Sequence, residues 1–127
     1  QYAFVRCYAI IQNAMPIGRQ AQNEKRKMQN STKITDYDFN TEDELRLLKQ
    51  LVQLPDIVLQ TAEDYQVNRL TRYATDLARA FHNFYEKERA ITDNVKETEM
   101  RLALVEATKT IFEKLFKILG ISAPEKM

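Results

Sequence analysis

Apolar side chains recur at the spacing of one helix face between residues 70 and 84. Five of them are separated by three or four positions: Leu70, Tyr73, Leu77, Phe81 and Phe84. An α-helix completes one turn in about 3.6 residues, so side chains at this spacing form one narrow stripe. A half-buried strand would instead show apolar and polar residues in strict alternation. The pattern therefore predicts a long amphipathic helix whose apolar stripe packs against the rest of the chain.

Turn-forming residues are scarce, because the 127 residues include only two Gly and three Pro. A β-sandwich or barrel needs such residues about every ten positions, so an all-β fold is excluded. Hydrophobic residues make up 44% of the chain, which is enough to build the core of one domain. We therefore predict an all-α chain, folded as an antiparallel bundle of about five helices within a single domain over residues 1–127.

The first helix is predicted to run from the start of the chain to Ala14. It ends before Pro16, because the residue that precedes a proline avoids the helical conformation. Residues 16–40 have no helical periodicity and many polar side chains, so we expect a flexible loop there. A helix that starts at residue 1 with no N-cap residue before it suggests a piece cut from a longer protein.

Capping residues predict the ends of the later helices. Thr41 and Glu44 can form a capping box at the start of the second helix, and Pro55 suits the first turn of the third. Asn94 can cap the last helix, which should end at Gly120. The predicted inward residues of the first two helices are Phe4, Val5, Tyr8, Ile11, Leu45, Leu48, Leu51 and Val52.

Charge is distributed unevenly along the chain, although the formal net charge is only +1. Residues 19–33 carry five basic side chains against one acidic, a local charge of +4. Residues 36–64 carry eight acidic side chains against two basic, a local charge of −6. A polyanionic partner should therefore avoid the middle of the chain.

The residues that catalytic and metal sites require are scarce. His82 is the single histidine and Cys7 the single cysteine, which excludes an internal disulfide, a two-histidine metal site and a cysteine-based zinc site. We expect Cys7 to be buried on the first helix, compatible with a reducing compartment, and His82 to lie at the edge of the core or on the surface. No run of 18 apolar residues exists, so no membrane-spanning helix is expected. The chain is predicted to hold no active site, metal or cofactor.

Three residues of the first helix point away from its predicted apolar face. Tyr2, Arg6 and Ala9 lie four and three positions apart, so they share one side of the helix. On such a side a tyrosine can stack on a base, an arginine can hold a phosphate, and a small residue lets a nucleic-acid backbone approach. The alternative is that Tyr2 packs on its neighbours and Arg6 is merely solvated.

Five segments form an ordered set of motifs. They are QYAFVR at residues 1–6, LPDIV at 54–58, RLTRYATDLARAFHNFY at 69–85, RLALV at 101–105 and LGISAPEKM at 119–127. In this order they resemble the DALR-type anticodon-binding domain at the C-terminal end of arginyl-tRNA synthetases. The resemblance covers nearly the whole chain except residues 16–40. The chain departs from the family pattern at Val67 and Asn68, where Pro-His is common, and at Lys126, where Arg is frequent.

The resemblance implies a fold, a function and a site. Domains of this kind are the anticodon-binding helical bundles of class I synthetases. They bind the anticodon loop of tRNA-Arg, while an upstream catalytic domain, absent here, uses ATP and Mg²⁺ for arginylation. The expected anticodon-binding residues are Tyr2, Arg6, Ala9, Tyr85 and Met127, and the candidate phosphate contacts are Arg79 and Lys126. The roles of Tyr2, Tyr85 and Met127 are implied by the resemblance.

The expected parent is a cytoplasmic, monomeric arginine–tRNA ligase, and the chain alone should be non-catalytic. Two alternatives remain open. A helical protein–protein interaction module would need a contiguous exposed apolar patch. A DALR domain of another synthetase, such as the glycyl β subunit, would share the fold, but the APEKM ending at residues 123–127 favours arginine.

Overall fold

Helices make up the regular structure of the part of the chain that the computed structural model describes, which is residues 1–11, 39, 41–88 and 94–122. Residues 2–11 are helical (α1), and four helices follow: α2 over Glu42–Val52, α3 over Leu54–Asp64, α4 over Asn68–Lys87 and α5 over Val95–Leu119. These described residues include no strand, and the predicted all-α class is confirmed. Lys126, Met127 and the predicted loop at residues 16–40, apart from Phe39, lie outside the described residues.

The N-terminal ends of α2 and α5 have the predicted caps. The Thr41 hydroxyl accepts a hydrogen bond from the Glu44 backbone N–H, and the Glu44 carboxylate accepts one from the Thr41 backbone N–H, both at 3.2 Å. The Asn94 side chain accepts from the backbone N–H groups of Lys96 and Glu97, at 3.1 and 3.5 Å. Each cap satisfies N–H groups that have no partner within their own helix.

The C-terminal end of α5 lies at the predicted glycine. Gly120 has a φ of +67°, a left-handed conformation that strains any residue with a side chain. Its N–H donates to the Lys117 carbonyl at 3.4 Å, and the N–H of Ile121 donates to the Phe116 carbonyl at 2.8 Å. These two bonds are those of a Schellman motif, which reverses the chain where the helix stops.

The apolar stripe of α4 lies at the centre of the core, as predicted. All five of its residues are buried, and α4 packs against α2, α3 and α5. Helix α1 packs against α5 as well, with the ring of Phe4 edge-on to that of Phe116 at a centroid distance of 5.7 Å. Burying one such large apolar side chain contributes about 1.5–3 kcal/mol, so packing rather than helix propensity holds α4 in place.

The predicted buried face of α1 is only partly right. Phe4 is buried, but Val5 and Tyr8 are half-buried, and the other buried positions are Ala3, Cys7 and Ile10. The Tyr8 ring instead lies under the ammonium group of Lys109, whose Nζ is 5.2 Å from the ring centroid. The buried face of α1 is therefore rotated about the helix axis from the predicted one. Cys7 lies in the core, whereas Val5 lies at its edge.

The predicted buried face of α2 is also partly wrong. Leu51 is buried, but Leu45 and Val52 have 42% and 63% of their surface exposed. The inward positions belong to Leu47 and to Glu44, which is 1% exposed. The buried face of α2 therefore includes the Glu44 carboxylate, and Leu45, which hydrophobic periodicity placed inward, lies on the solvent side.

Tyr73 links α4 to the last turn of α2. Its hydroxyl donates to the backbone carbonyl of Gln50 at 2.7 Å, and burial raises the pKa of Tyr73 to about 12. Because the folded state holds this proton more tightly than the unfolded chain, whose tyrosines titrate near 10, the stabilisation is complete below about pH 10 and is lost as pH rises towards 12.

We expect Tyr73→Phe to lower the free energy of unfolding by about 0.5–1.5 kcal/mol at pH 8, the net contribution of one hydrogen bond. The variant should also lose less stability than the parent chain between pH 9 and pH 11. Urea denaturation at both pH values measures each effect. Parallel losses in the two chains would contradict this assignment.

Candidate nucleic-acid interface

A concave surface lies between α1 and α4. Its cavity has a volume of about 550 Å³, and its walls include the predicted residues Tyr2 and Arg6 from α1 and Arg79 and Tyr85 from α4. The remaining lining residues are Gln1, Ala3, Thr75, Ala78, Phe81, His82 and Glu86. We call this cavity the base pocket. Ala9 is exposed on α1 but is not one of the lining residues.

Arg6 packs on the ring of Tyr85. The guanidinium carbon lies 4.6 Å from the ring centroid, well within the roughly 6 Å range of a cation–π contact. The Nε atom of Arg6 is buried and has no hydrogen-bond partner among the described residues. Tyr2, in contrast, has 60% of its surface exposed. The alternative of a packed Tyr2 beside a solvated Arg6 therefore does not match this geometry.

The ring of Tyr85 packs on a core residue. The Tyr85 ring lies 6.3 Å from that of Phe81, one helical turn earlier, at an interplanar angle of 23°. Phe81 itself is 1% exposed and belongs to the buried stripe of α4. Phe81 thus supports the half-buried ring of Tyr85, and Arg6 packs on that ring. The Arg6–Tyr85 contact therefore joins α1 to α4 in the wall of the base pocket.

The rim of the base pocket has opposite charges at its two ends. Towards the C-terminal end of α4, Glu86 pairs with His82, with Oε1 and Nε2 3.1 Å apart. Towards the N-terminal end, Arg79 lies near Asp76, with a longer separation of 3.6 Å and 76% of the arginine side chain exposed. The charged lining residues Glu86 and Arg79 thus lie towards opposite ends of α4.

A second, more polar cavity of about 860 Å³ adjoins the base pocket along α4. Its lining residues are Gln66, Asn68, Arg69, Thr71, Arg72, Thr75, Asp76 and Arg79. We call it the arginine groove. Thr75 and Arg79 line both cavities. Sequence reasoning missed Arg69 and Arg72, although arginines at 69, 72 and 79 have the spacing of one helix face.

Arg69 is held in place at the edge of the arginine groove. Its two terminal nitrogens donate to the two carboxylate oxygens of Asp64, at 3.1 and 2.6 Å. These hydrogen bonds hold the pKa of the Asp64 carboxyl below its ordinary value. The pair closes the turn between α3 and α4.

The single cysteine and the single histidine lie in different surroundings. Cys7 is fully buried, as predicted, and burial raises the pKa of its thiol. His82 is on the surface, as predicted, with 56% of its side chain exposed. The described residues contain no group of three or more His, Cys, Asp or Glu side chains that could hold a metal ion. Among the described helices, none is long and apolar enough to cross a membrane.

The described end of the chain lies beside the base pocket. The side chain of Gln1, which lines the pocket, donates from Nε2 to the carbonyl oxygen of Ser122 at 3.3 Å. The Schellman turn at Gly120 directs the chain to this point. The predicted site residues Lys126 and Met127 follow, outside the described residues, so their roles stay predictions.

Comparison with known proteins gives a consistent family. The family model described as the DALR anticodon binding domain matches residues 1–127. Arginine–tRNA ligase of Symbiobacterium thermophilum is 32% identical over 127 residues, covering 100% of this chain and 22% of that protein. The enzyme of Desulforamulus reducens is 35% identical over 127 residues, covering 100% and 21%. The enzyme of Geobacillus kaustophilus is 43% identical over 88 residues, covering 68% and 16%.

The match is to one part of these relatives, since the chain spans about a fifth of the length of the two that it matches throughout. The family model, however, covers every residue of the chain, including the α1 and α4 segments that form the base pocket. The chain belongs to the DALR anticodon-binding domain family.

Proposed function

We propose that the chain binds the anticodon loop of an arginine tRNA as the C-terminal domain of an arginine–tRNA ligase. The observation that carries this proposal is the base pocket, which combines the exposed ring of Tyr2 with the Arg6–Tyr85 pair. Anticodon bases are single-stranded and unstacked, the form in which proteins read RNA by stacking and edge hydrogen bonds. The similarity to arginine–tRNA ligases supports arginine as the amino acid.

The pocket offers two stacking surfaces to a base. Tyr2 presents an exposed aromatic ring, and base–aromatic stacking is worth about 1–3 kcal/mol per base. Tyr85 presents a ring that Arg6 covers, so a base reaches that position by stacking on the guanidinium group or by displacing it. Guanidinium groups serve as stacking surfaces for bases in RNA recognition. We assign the stacking contact to Arg6 and a supporting role to Tyr85.

In the parent enzyme, arginine activation falls to a separate catalytic domain, which would use ATP and Mg²⁺. This chain supplies no residues for that chemistry in our proposal. It contributes the tRNA contact and a surface for the catalytic domain of the same polypeptide. We place the enzyme in the cytoplasm, where translation occurs, and propose that it acts as a monomer.

Binding to RNA tests the proposed function directly. Protein binding should raise the fluorescence anisotropy of a fluorescein-labelled arginine anticodon stem-loop. The rise should occur at a lower protein concentration than for the same stem with a scrambled loop. Tyr2→Ala should weaken binding of the arginine loop by about fivefold, which corresponds to about 1 kcal/mol of lost stacking.

Leu59→Ala serves as the matched control, because Leu59 is an equally exposed apolar residue that lines neither cavity. It should bind like the parent chain. Equal affinity of the parent for both loops would contradict anticodon recognition.

A further inference from the structure

We propose that the arginine groove binds the phosphate backbone of the RNA next to the base held in the base pocket, with Arg72 as its principal phosphate contact. This inference rests on the proposed function and adds the path of the strand to it. The backbone leaves the base pocket past Thr75 and Arg79 and runs towards the N-terminal end of α4.

Continuity of the two cavities is the first support. Thr75 and Arg79 line both, so a strand that passes these two residues contacts both cavities. The two cavities also differ in chemistry. The lining of the base pocket includes three aromatic rings and two alanines beside its polar side chains, whereas the residues that line the groove are all polar or charged. Proteins that bind single strands combine these two features, an aromatic stacking site and a basic groove that follows the backbone.

The charge of the groove is the second support. Its lining residues include three arginines and one aspartate, a net charge of +2. Arg69 is engaged by Asp64 with two hydrogen bonds, and Arg79 lies 3.6 Å from Asp76. Arg72 is exposed and forms no ion pair with any residue that the structure describes. It can therefore bind a phosphate without first losing an existing partner.

The opposite direction is unfavourable for a phosphate. At the other end of the base pocket lies the Glu86 carboxylate, with 60% of its side chain exposed. The first turn of α4, in contrast, has no acidic residue and no side-chain cap at Val67, and the nearby Asp64 carboxylate is already paired with Arg69. The positive end of the helix dipole and the charge of Arg72 therefore act together on the groove.

Salt dependence of binding measures the phosphate contact. Arg72→Gln removes the charge but keeps a long polar side chain on an exposed helix position. Binding of the arginine anticodon stem-loop should be titrated between about 50 and 200 mM KCl. At the lower salt concentration the variant should bind severalfold more weakly than the parent chain. The slope of log K against log salt should fall by about 0.7–0.9, the value for one lost phosphate contact.

Arg46→Gln is the control, because Arg46 is an exposed arginine of α2 that pairs with Glu42 and lines neither cavity. It should keep the slope of the parent. Tyr2→Ala should weaken binding without changing the slope, since lost stacking releases no counterions. Thermal melting of each variant shows that the fold is retained.

A scan of the RNA locates the contact. Neutral methylphosphonate linkages, introduced one at a time, should include a position that weakens binding of the parent chain but not of Arg72→Gln. If the parent prefers the arginine loop and Arg72→Gln keeps its slope, the groove proposal is overturned while the proposed function stands. If the parent binds both loops equally but Arg72→Gln still lowers the slope, the anticodon proposal fails and the groove stands. Absence of any binding by the parent overturns both.

Discussion

Arg101→Leu should lower the free energy of unfolding by about 3–5 kcal/mol, because it would leave the buried Glu44 carboxylate and two partly buried carboxylates without the arginine that they face. The guanidinium of Arg101, with 6% of its side chain exposed, contacts Glu44 at 2.8 Å, Glu88 at 2.7 Å and Glu97 at 2.7 Å. Glu44 is the capping-box residue of α2, Glu88 follows α4, and Glu97 lies in the first turn of α5. One side chain thus joins three elements of the bundle.

Urea denaturation measures this loss. Arg46→Leu is the control, since the Arg46–Glu42 pair is solvent-exposed and such pairs contribute at most about 1 kcal/mol. Removing the most buried carboxylate as well, in Arg101→Leu with Glu44→Met, should recover part of the lost stability, because the charges that then lack a partner, Glu88 and Glu97, are both partly exposed. A loss below about 1 kcal/mol in Arg101→Leu would show that water reaches the carboxylates and that the network is not a structural clamp.

The same network explains where the sequence failed to predict the fold. Helix α4 and the helix caps depend on residues only a few positions apart, so the spacing of those residues was enough to predict them. The buried face of α2 depends on Glu44 and Arg101, which are 57 positions apart. Hydrophobic periodicity treats a glutamate as a surface residue and so turned Leu45 inward. Only the pairing across the bundle makes a buried Glu44 possible.

The candidate site divides in a similar way. Tyr2 and Arg6 were identified from their helix face and the role of Tyr85 from the family resemblance, but their meeting in one pocket depends on the packing of α1 against α4. Local spacing cannot give that packing. Arg72 is different, since its spacing from Arg79 was visible in the sequence. What the sequence lacked was the second cavity, which shows that this face of α4 is concave.

Two substitutions of Arg6 should distinguish phosphate binding from base stacking, two roles that an alanine variant alone cannot separate. If Arg6 binds a phosphate, Arg6→Lys keeps the charge and should bind the anticodon stem-loop nearly as well as the parent, while Arg6→Ala should lower the salt slope. If the guanidinium plane is a stacking surface supported by Tyr85, lysine cannot replace it, because an ammonium group has no flat face.

The geometry favours the second role, since Arg6 lies over the Tyr85 ring with its Nε buried rather than extended into solvent. We therefore expect Arg6→Lys and Arg6→Ala each to weaken binding by about tenfold, or about 1.4 kcal/mol, with the lysine variant keeping the salt slope of the parent. Tyr85→Leu should give a similar loss because it removes the support of the guanidinium, whereas Tyr85→Phe should bind like the parent, since it keeps the ring. Thermal melting controls for the fold. Near-parental binding by Arg6→Lys would assign Arg6 to a phosphate instead and leave Tyr2 as the stacking surface of the pocket.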